Sequence, residues 1–163
     1  MNALAVPLAL GRTTPPPSER LAAITGPLPP ADADALADIA RTLRPLFAAG
    51  DDLDEATEAL NALLVRHAAV PSVHRHPDRP HTLAFHRQGA RLVDAWAADM
   101  GTALAMVIGV GQAARLGACQ ASGCGLVFFD TTRNASRRFC GLPCQNRTKA
   151  TAYRARRAAS TKQ

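Results

Sequence analysis

The chain predicts a mainly α protein in two unequal parts, an N-terminal helical domain followed by a small C-terminal metal-stapled finger. Three observations carry that prediction. Hydrophobic residues make up 47% of the chain, alanine is abundant, and aromatics are few, with five Phe, one Tyr and one Trp. Such a composition favours helices packed through small and aliphatic side chains over a β-sandwich. Apolar residues recur at helical steps through the first two thirds. All four cysteines, by contrast, fall between Cys119 and Cys144. A chain of 163 residues can bury one ordinary core and one small stapled module.

Taken in order, "TTPPPSER" and "GPLPPADAD" read as proline-bounded loops. The first helix is expected from Asp32, as N-cap, to Phe47, ending at Gly50, with Leu36, Ile39, Leu43 and Phe47 at helical spacing. A second begins at Asp52, where Glu55 completes a capping-box-like start, carries Leu53, Leu60, Leu63 and Leu64 on one side, and ends near His67. Pro71, Pro77 and Pro80 mark an irregular segment, with a short strand at Thr82 to Phe85. The third and longest helix, Gln88 to Ala114, aligns Val93, Trp96, Met100, Leu104 and Val107. Gly101, Gly109 and Gly111 weaken it, which points to close packing or a kink.

The opening "MNALAVPLALGRTTPPP" has an apolar stretch but neither a basic start nor a small-residue cleavage site, and Pro7 interrupts it, so it does not read as a signal peptide. The most apolar run, near Ala103 to Val110, is shorter than the roughly 18 residues that span a bilayer. The expectation is a cytoplasmic protein with no membrane partner.

Net charge is +6, unevenly spread. Residues 1–114 hold nine Lys/Arg against twelve Asp/Glu; residues 115–163 hold ten against one, Asp130. The positive field therefore belongs to the cysteine end. Such asymmetry suits a polyanion partner, although a basic tail is also a common solubility device.

The spacing Cys119-x4-Cys124, fifteen residues, then Cys140-x3-Cys144 is a zinc pattern. Each short loop turns two thiolates toward one ion, and the longer segment brings the pairs into a closed, structural tetrahedron. Paired disulfides or four unconnected thiols are the competing readings. Between the pairs, "LVFF" reads as a strand, "DTTRN" as a turn and "SRRF" as the return strand. Beyond them, "LPCQNRTKATAYRARRAA" reads as a helix with Pro143 in its first turn and Cys144 at its start. Knuckle, hairpin and helix make a treble-clef-like finger.

The run Phe129, Asp130, Arg133, Asn134, Ser136, Arg137, Arg138, Phe139, Cys140, Cys144, Asn146, Arg147 and Lys149 resembles the CGNR zinc fingers. Gln145 stands where that family has its eponymous glycine, and three residues separate the last cysteines where many members have four. "LDEATEALNALLVRHAAVPSV" resembles more loosely the ABATE-type helical domain that usually precedes these fingers, whose apolar opening is reduced here to "LAVPLALGRTTPPP". The resemblance implies an ABATE-type domain at residues 1–114, a finger at 115–158 and a flexible tail at 159–163. It also implies one structural Zn2+ held by Cys119, Cys124, Cys140 and Cys144, in a bacterial protein that regulates transcription.

Double-stranded DNA is then the expected partner, contacted by Arg133, Arg137 and Arg138 on the hairpin and by Asn146, Arg147, Lys149, Arg154, Arg156 and Arg157 on the last helix. At 100° per residue Arg147, Arg154 and Arg157 share one face, and Lys149 and Arg156 another. The competing reading pairs Arg137 or Arg138 with Asp130 as a buttress and leaves the other charges solvated, making the finger a protein- or RNA-interaction module. A homodimer and an effector of the N-terminal domain are compatible further partners.

No phosphate-binding glycine loop, nucleophile elbow or open metal position marks an enzyme. His74, His76, Asp78, His81 and His86 match no zinc-hydrolase spacing and read as a polar connecting loop. His67 reads as a helix-end charge or a surface residue, and Trp96 as core.

Overall fold

The structure, a computed structural model, describes residues 16–50, 52–78 and 80–160, so the apolar opening lies outside the described residues. Helices α1 (Pro17–Thr25), α2 (Pro30–Leu43), α3 (Asp54–Arg66) and α4 (Leu92–Gly109) build the body. A short two-stranded sheet of β1 (Ser72–His74) and β2 (Thr82–Ala84) lies between α3 and α4. The C-terminal part has a second antiparallel pair, β3 (Leu116–Ala118) and β4 (Val127–Phe129), and the last helix, α5 (Leu142–Ser160).

Helix α1 was not expected, because the prolines around it suggested loop. Pro17 instead occupies the first helical turn, where a missing N–H breaks no bond, and Glu19 faces the positive helix end. The same logic moves the start of α2 from Asp32 to Pro30. That helix gives way at Arg44–Phe47 to a 3-10 turn rather than running on, since Pro45 has no N–H for the carbonyl four residues back. Helix α3 begins at Asp54 with no side-chain cap, so the capping box expected from Asp52 and Glu55 does not form.

Helix ends account for the remaining differences. Helix α4 is shorter than Gln88 to Ala114: it follows a turn closed by Ala90 N–H to Arg87 O, and it ends where Gly111, at φ 70°, reverses the chain. The amides of Gly111 and Gln112 donate to the carbonyls of Ile108 and Val107, the paired bonds of a Schellman motif. Helix α3 ends in the same way, with Ala68 and Ala69 donating to Val65 and Leu64, but the left-handed position is held by Ala68 at φ 49°. Strand β1 follows directly on Pro71, inside the stretch expected to be irregular, and pairs with the strand expected near Thr82. Helix α5 continues through Ala159 and Ser160, two residues expected to be tail.

The core joins α2 (Ala33, Leu36, Ile39, Ala40, Leu43), the 3-10 turn (Leu46, Phe47), α3 (Leu60, Leu63) and α4 (Val93, Ala97, Leu104). Trp96 and Met100 pack against it, as core residues. Gly101 is a point of close approach: a Cβ there would lie 2.9 Å from Leu64 Cδ2 and 3.1 Å from Leu63 Cδ2. Helix α4 also corrects the reading of apolar length. Its 18 residues, at a mean hydropathy of 1.3, are long and apolar enough to cross a membrane. Here it packs on α2 and α3, and its Asp94 and Asp99 meet His67 and His86.

The second hairpin is seated on this core. Leu116 and Val127 are buried in the same cluster as Leu43 and Leu46, and the Arg44 guanidinium donates to the carbonyl of Gly125. The finger is thereby anchored to the body through its strands, which leaves α5 projecting: Cys144 is its one buried residue.

Candidate metal centre and basic surface

Strand β3 delivers Cys119 and the turn before β4 delivers Cys124, so the hairpin closes around the first cysteine pair. Two bonds fix that turn, Cys119 N–H to Leu126 O at 2.9 Å and Cys124 N–H to Ala121 O at 3.0 Å. Gly117 in β3 lies under the Phe128 ring, where a Cβ would come within 2.6 Å. Cys140 ends the following loop, and Cys144 sits in the first turn of α5.

The hairpin expected between "LVFF" and "SRRF" is therefore not the one formed. Val127–Phe129 pairs backward with Leu116–Ala118, while residues 136–139 form no strand. Physically, Asp130 diverts the chain. Its carboxylate, with 2% of the residue exposed, accepts the amides of Thr132 at 2.7 Å and Arg137 at 2.6 Å. A carboxylate bound to residues two and seven positions ahead folds that segment into a loop instead of a ladder.

Arg115 locks the other side of the loop, donating to the carbonyls of Asp130 at 2.9 Å and Thr132 at 2.7 Å. Burial acts to raise the Asp130 carboxyl. The hydroxyl and amide of Thr132, the amide of Arg137 and the positive Arg115 outweigh it and hold the carboxyl below its ordinary 3.8.

All four Sγ atoms lie within 4.8 Å of one another, with Cys124 to Cys140 at 3.8 Å and Cys140 to Cys144 at 3.6 Å. A tetrahedron with Zn–S bonds of about 2.3 Å has edges of about 3.8 Å, the spacing of those two pairs. The exposed surface of Cys119 is 9% and that of Cys144 is 8%. Four cysteines with no further ligand group beside them among the described residues suit a closed structural site, and the donor set selects one zinc ion. Bound there, zinc supplies the cross-link between hairpin and helix.

Crowding sets the protonation of the thiols. Burial raises Cys119, but amides of Cys140 and Ala121 and the neighbouring thiols donate to it and bring it down to about 7. Cys140 is pushed up to about 12, by burial first and then by its bonds to Cys144, Cys119 and Cys124. Burial likewise raises Cys144.

Three of the arginines expected on DNA serve this framework. Arg137 lies over the Phe128 ring at 4.7 Å and donates through Nε to Phe139 O at 2.8 Å and through Nη2 to Cys140 O. Arg138 donates to Gln120 Oε1 at 2.7 Å and flanks Phe139. Arg147 reaches Cys144 Sγ at 3.5 Å and Ser122 O at 3.4 Å, bridging the two cysteine pairs. In place of the pairing of an Arg137 or Arg138 side chain with Asp130, the competing reading, the carboxylate takes the Arg137 backbone amide.

Arg133 sits exposed in the turn, and Asn146, Lys149, Arg154, Arg156 and Arg157 are exposed along α5. Arg115, Gln120 and Arg44 escaped the sequence reading. For Arg115, the signal was a solitary acid among ten bases, which needs a defined partner.

Among the described residues, the four cysteines are the only His, Cys, Asp or Glu group whose ligand atoms converge. The histidines instead tether the loop: His74 Nε2 meets His86 O at 2.9 Å, His86 Nδ1 meets Asp99 at 3.0 Å, and His67 Nδ1 meets Asp94 at 2.7 Å.

The geometry defines a four-cysteine zinc finger joined to a helical body. Residues 115–157 match the CGNR zinc finger family. No curated protein matches the chain closely enough to count as a relative.

Proposed function

We propose that the chain is a non-catalytic, cytoplasmic transcriptional regulator whose zinc-stapled finger binds double-stranded DNA. The single observation that carries this reading is α5. It projects from the metal site with five Lys/Arg and no acidic residue, and every residue from Lys149 to Ser160 is exposed. A basic helix that is exposed all round and lacks opposite-charge pairs gains little from its own chain, whereas a polyanion neutralises it.

On this reading the finger is a treble-clef variant, whose first knuckle lies inside its hairpin. The body is an ABATE-type domain that receives an effector and supports a homodimer. Gln145, in place of the family glycine, is accommodated because the position is helical, with its amide donating to Gly141 O at 3.2 Å.

The test is selection of randomised duplex DNA by zinc-loaded protein at near-physiological salt, where simple charge attraction is suppressed. Enrichment of a defined motif is the expected result. Failure to retain any duplex sinks the reading in favour of a protein- or RNA-binding module, which exposed Leu142 and Tyr153 on α5 would then serve.

A further inference from the structure

The finger carries a trough of about 590 Å³ between the loop after Asp130 and one face of α5. The loop side presents Thr132, Ser136 and Arg138; the helix side presents Gln145, Thr148 and Lys149. We infer that this trough seats one sugar–phosphate strand of duplex DNA, clamped by Lys149 and Arg156. The inference rests on the DNA-binding reading and narrows it to one face of the helix.

Helix phase supports the choice. At 100° per residue Lys149 and Arg156 fall about 20° apart and about 10.5 Å along the axis, on the face centred on Gln145. Arg154 falls on the opposite side, about 180° from Gln145. Its Nε turns back to Ala150 O at 3.4 Å. Arg147 points toward the cysteines and is held there by Ser122 O and Cys144 Sγ. The face named by Arg147 and Arg154 thus turns away from the trough, while Lys149, which lines it, and Arg156, two turns further on, share its side of the helix.

The chemistry of the lining fits phosphate. The Ser136 hydroxyl supplies a neutral donor beside the cations, while the hydroxyls of Thr132 and Thr148 are spent on the Asp130 carboxylate and the carbonyl of Cys144. Arg138 commits Nε to Gln120, which leaves its terminal nitrogens to face the trough. Among the described residues no carboxylate ion-pairs with Lys149 or Arg156, and the nearest acid in sequence, Asp130, is consumed by backbone amides. The trough is complementary to a strand bearing one negative charge per nucleotide and would repel an acid-free basic peptide.

The experiment measures affinity of the full chain, zinc-loaded, for a mixed-sequence duplex across a salt series. Lys149→Gln and Arg156→Gln should each weaken binding and reduce the slope of log affinity against log salt by about 0.9, with zinc content and far-UV circular dichroism unchanged. Arg154→Gln should leave the slope as it is. No duplex binding by the unaltered chain overturns the DNA reading and the trough with it. A slope lowered by Arg154→Gln, or unmoved by Lys149→Gln and Arg156→Gln, overturns the trough alone. A single-stranded RNA that displaces the duplex at equal phosphate concentration overturns the choice of duplex.

Discussion

The helical body and the finger hold themselves together by different means. In the body, Leu36, Leu43 and Leu46 are the largest fully buried side chains, at the junction of α2 with its 3-10 extension. Fully burying each such side chain contributes about 1.5–3 kcal/mol. The second buried cluster, in the finger, has only Cys119, Ala121 and Cys144, backed by Cys124, Phe139 and Cys140. Order there comes from the metal, the buried Asp130 carboxylate and guanidinium bonds to carbonyls. A segment of this size cannot build a sufficient core and substitutes coordination for it. The body should therefore survive loss of the metal, and the finger should not.

The largest expected effect breaks that comparison at the finger. Structural zinc contributes on the order of 10 kcal/mol to folding such a module. Chelation, or Cys140→Ser, should melt α5, whose 19 residues have Cys144 as their only buried anchor. Circular dichroism should lose the helical signal of α5 alone. Amide exchange should show α2 to α4 still protected and residues 130–160 open. Collapse of the whole chain would mean that the hairpin shared through Leu116 and Val127 couples the two parts more tightly than their separate supports suggest.

The converse test strikes the body. Leu43→Ala removes a fully buried side chain from the centre of the core and should cost about 2–5 kcal/mol. Denaturant unfolding followed by far-UV signal should show the midpoint fall. Zinc retention by the folded protein, read with a chromogenic chelator, should change little, because the ligands are positioned by bonds within the finger.

What could be read from the sequence follows the same division. Helical periodicity located α2, α3 and α4 and their buried stripes because burial is what periodicity records. The four ligands were legible because metal geometry demands a spacing. Missed were the features set by a single bond to a distant partner. Asp130 turns the chain into a loop by taking two amides, so residues 136–139 fail to return as a strand. Arg137 and Arg147 look like free charge in a sequence and become carbonyl and thiolate partners in three dimensions. Prolines misled in the opposite direction, since a proline at a helix start and a proline in a loop read alike until the following residues are placed.

Protonation sharpens the contrast, because zinc can bind the finger only by displacing protons from its ligands. In the folded arrangement burial works against ionising the crowded ligands, with Cys140 pushed up to about 12 and Cys144 raised. Without the metal the finger unfolds and its four thiols start from the ordinary range of about 8.5, so binding should release about four protons per zinc at neutral pH and below. Zinc affinity must then fall as pH falls. Competition against a chelator of known pH behaviour between pH 6 and 8 measures that slope. An affinity independent of pH would show that the thiols are already ionised.

Arg147 offers a smaller perturbation of the same site. Its guanidinium lies 3.5 Å from Cys144 Sγ and 3.4 Å from the carbonyl of Ser122. A cation bonded to a ligating sulfur offsets thiolate charge and orients the ligand. Arg147→Ala should weaken zinc binding about 10- to 100-fold, the usual effect of losing an outer-shell partner. Faster zinc transfer to a chelator would show it, with the stability of the body unchanged.

The smallest effects lie in α4, where two glycines of one helix should respond with opposite signs. A Cβ at Gly109 meets nothing within 4 Å, so Gly109→Ala should stabilise the body by about 0.5–1 kcal/mol through helix propensity alone. At Gly101 the same methyl would press Leu64 Cδ2 at 2.9 Å and Leu63 Cδ2 at 3.1 Å, between two packed helices. Overpacking costs about 1–3 kcal/mol, which exceeds the propensity gain, so Gly101→Ala should lower the thermal midpoint. These leucine methyls are side-chain ends and can yield by a rotamer change. A rise in the midpoint for both variants would therefore mean that the contact of α3 with α4 is compliant, with the body's rigidity residing around Leu36, Leu43 and Leu46. A fall for Gly101→Ala beside a rise for Gly109→Ala would place the tightest packing of the body at the crossing of α3 and α4.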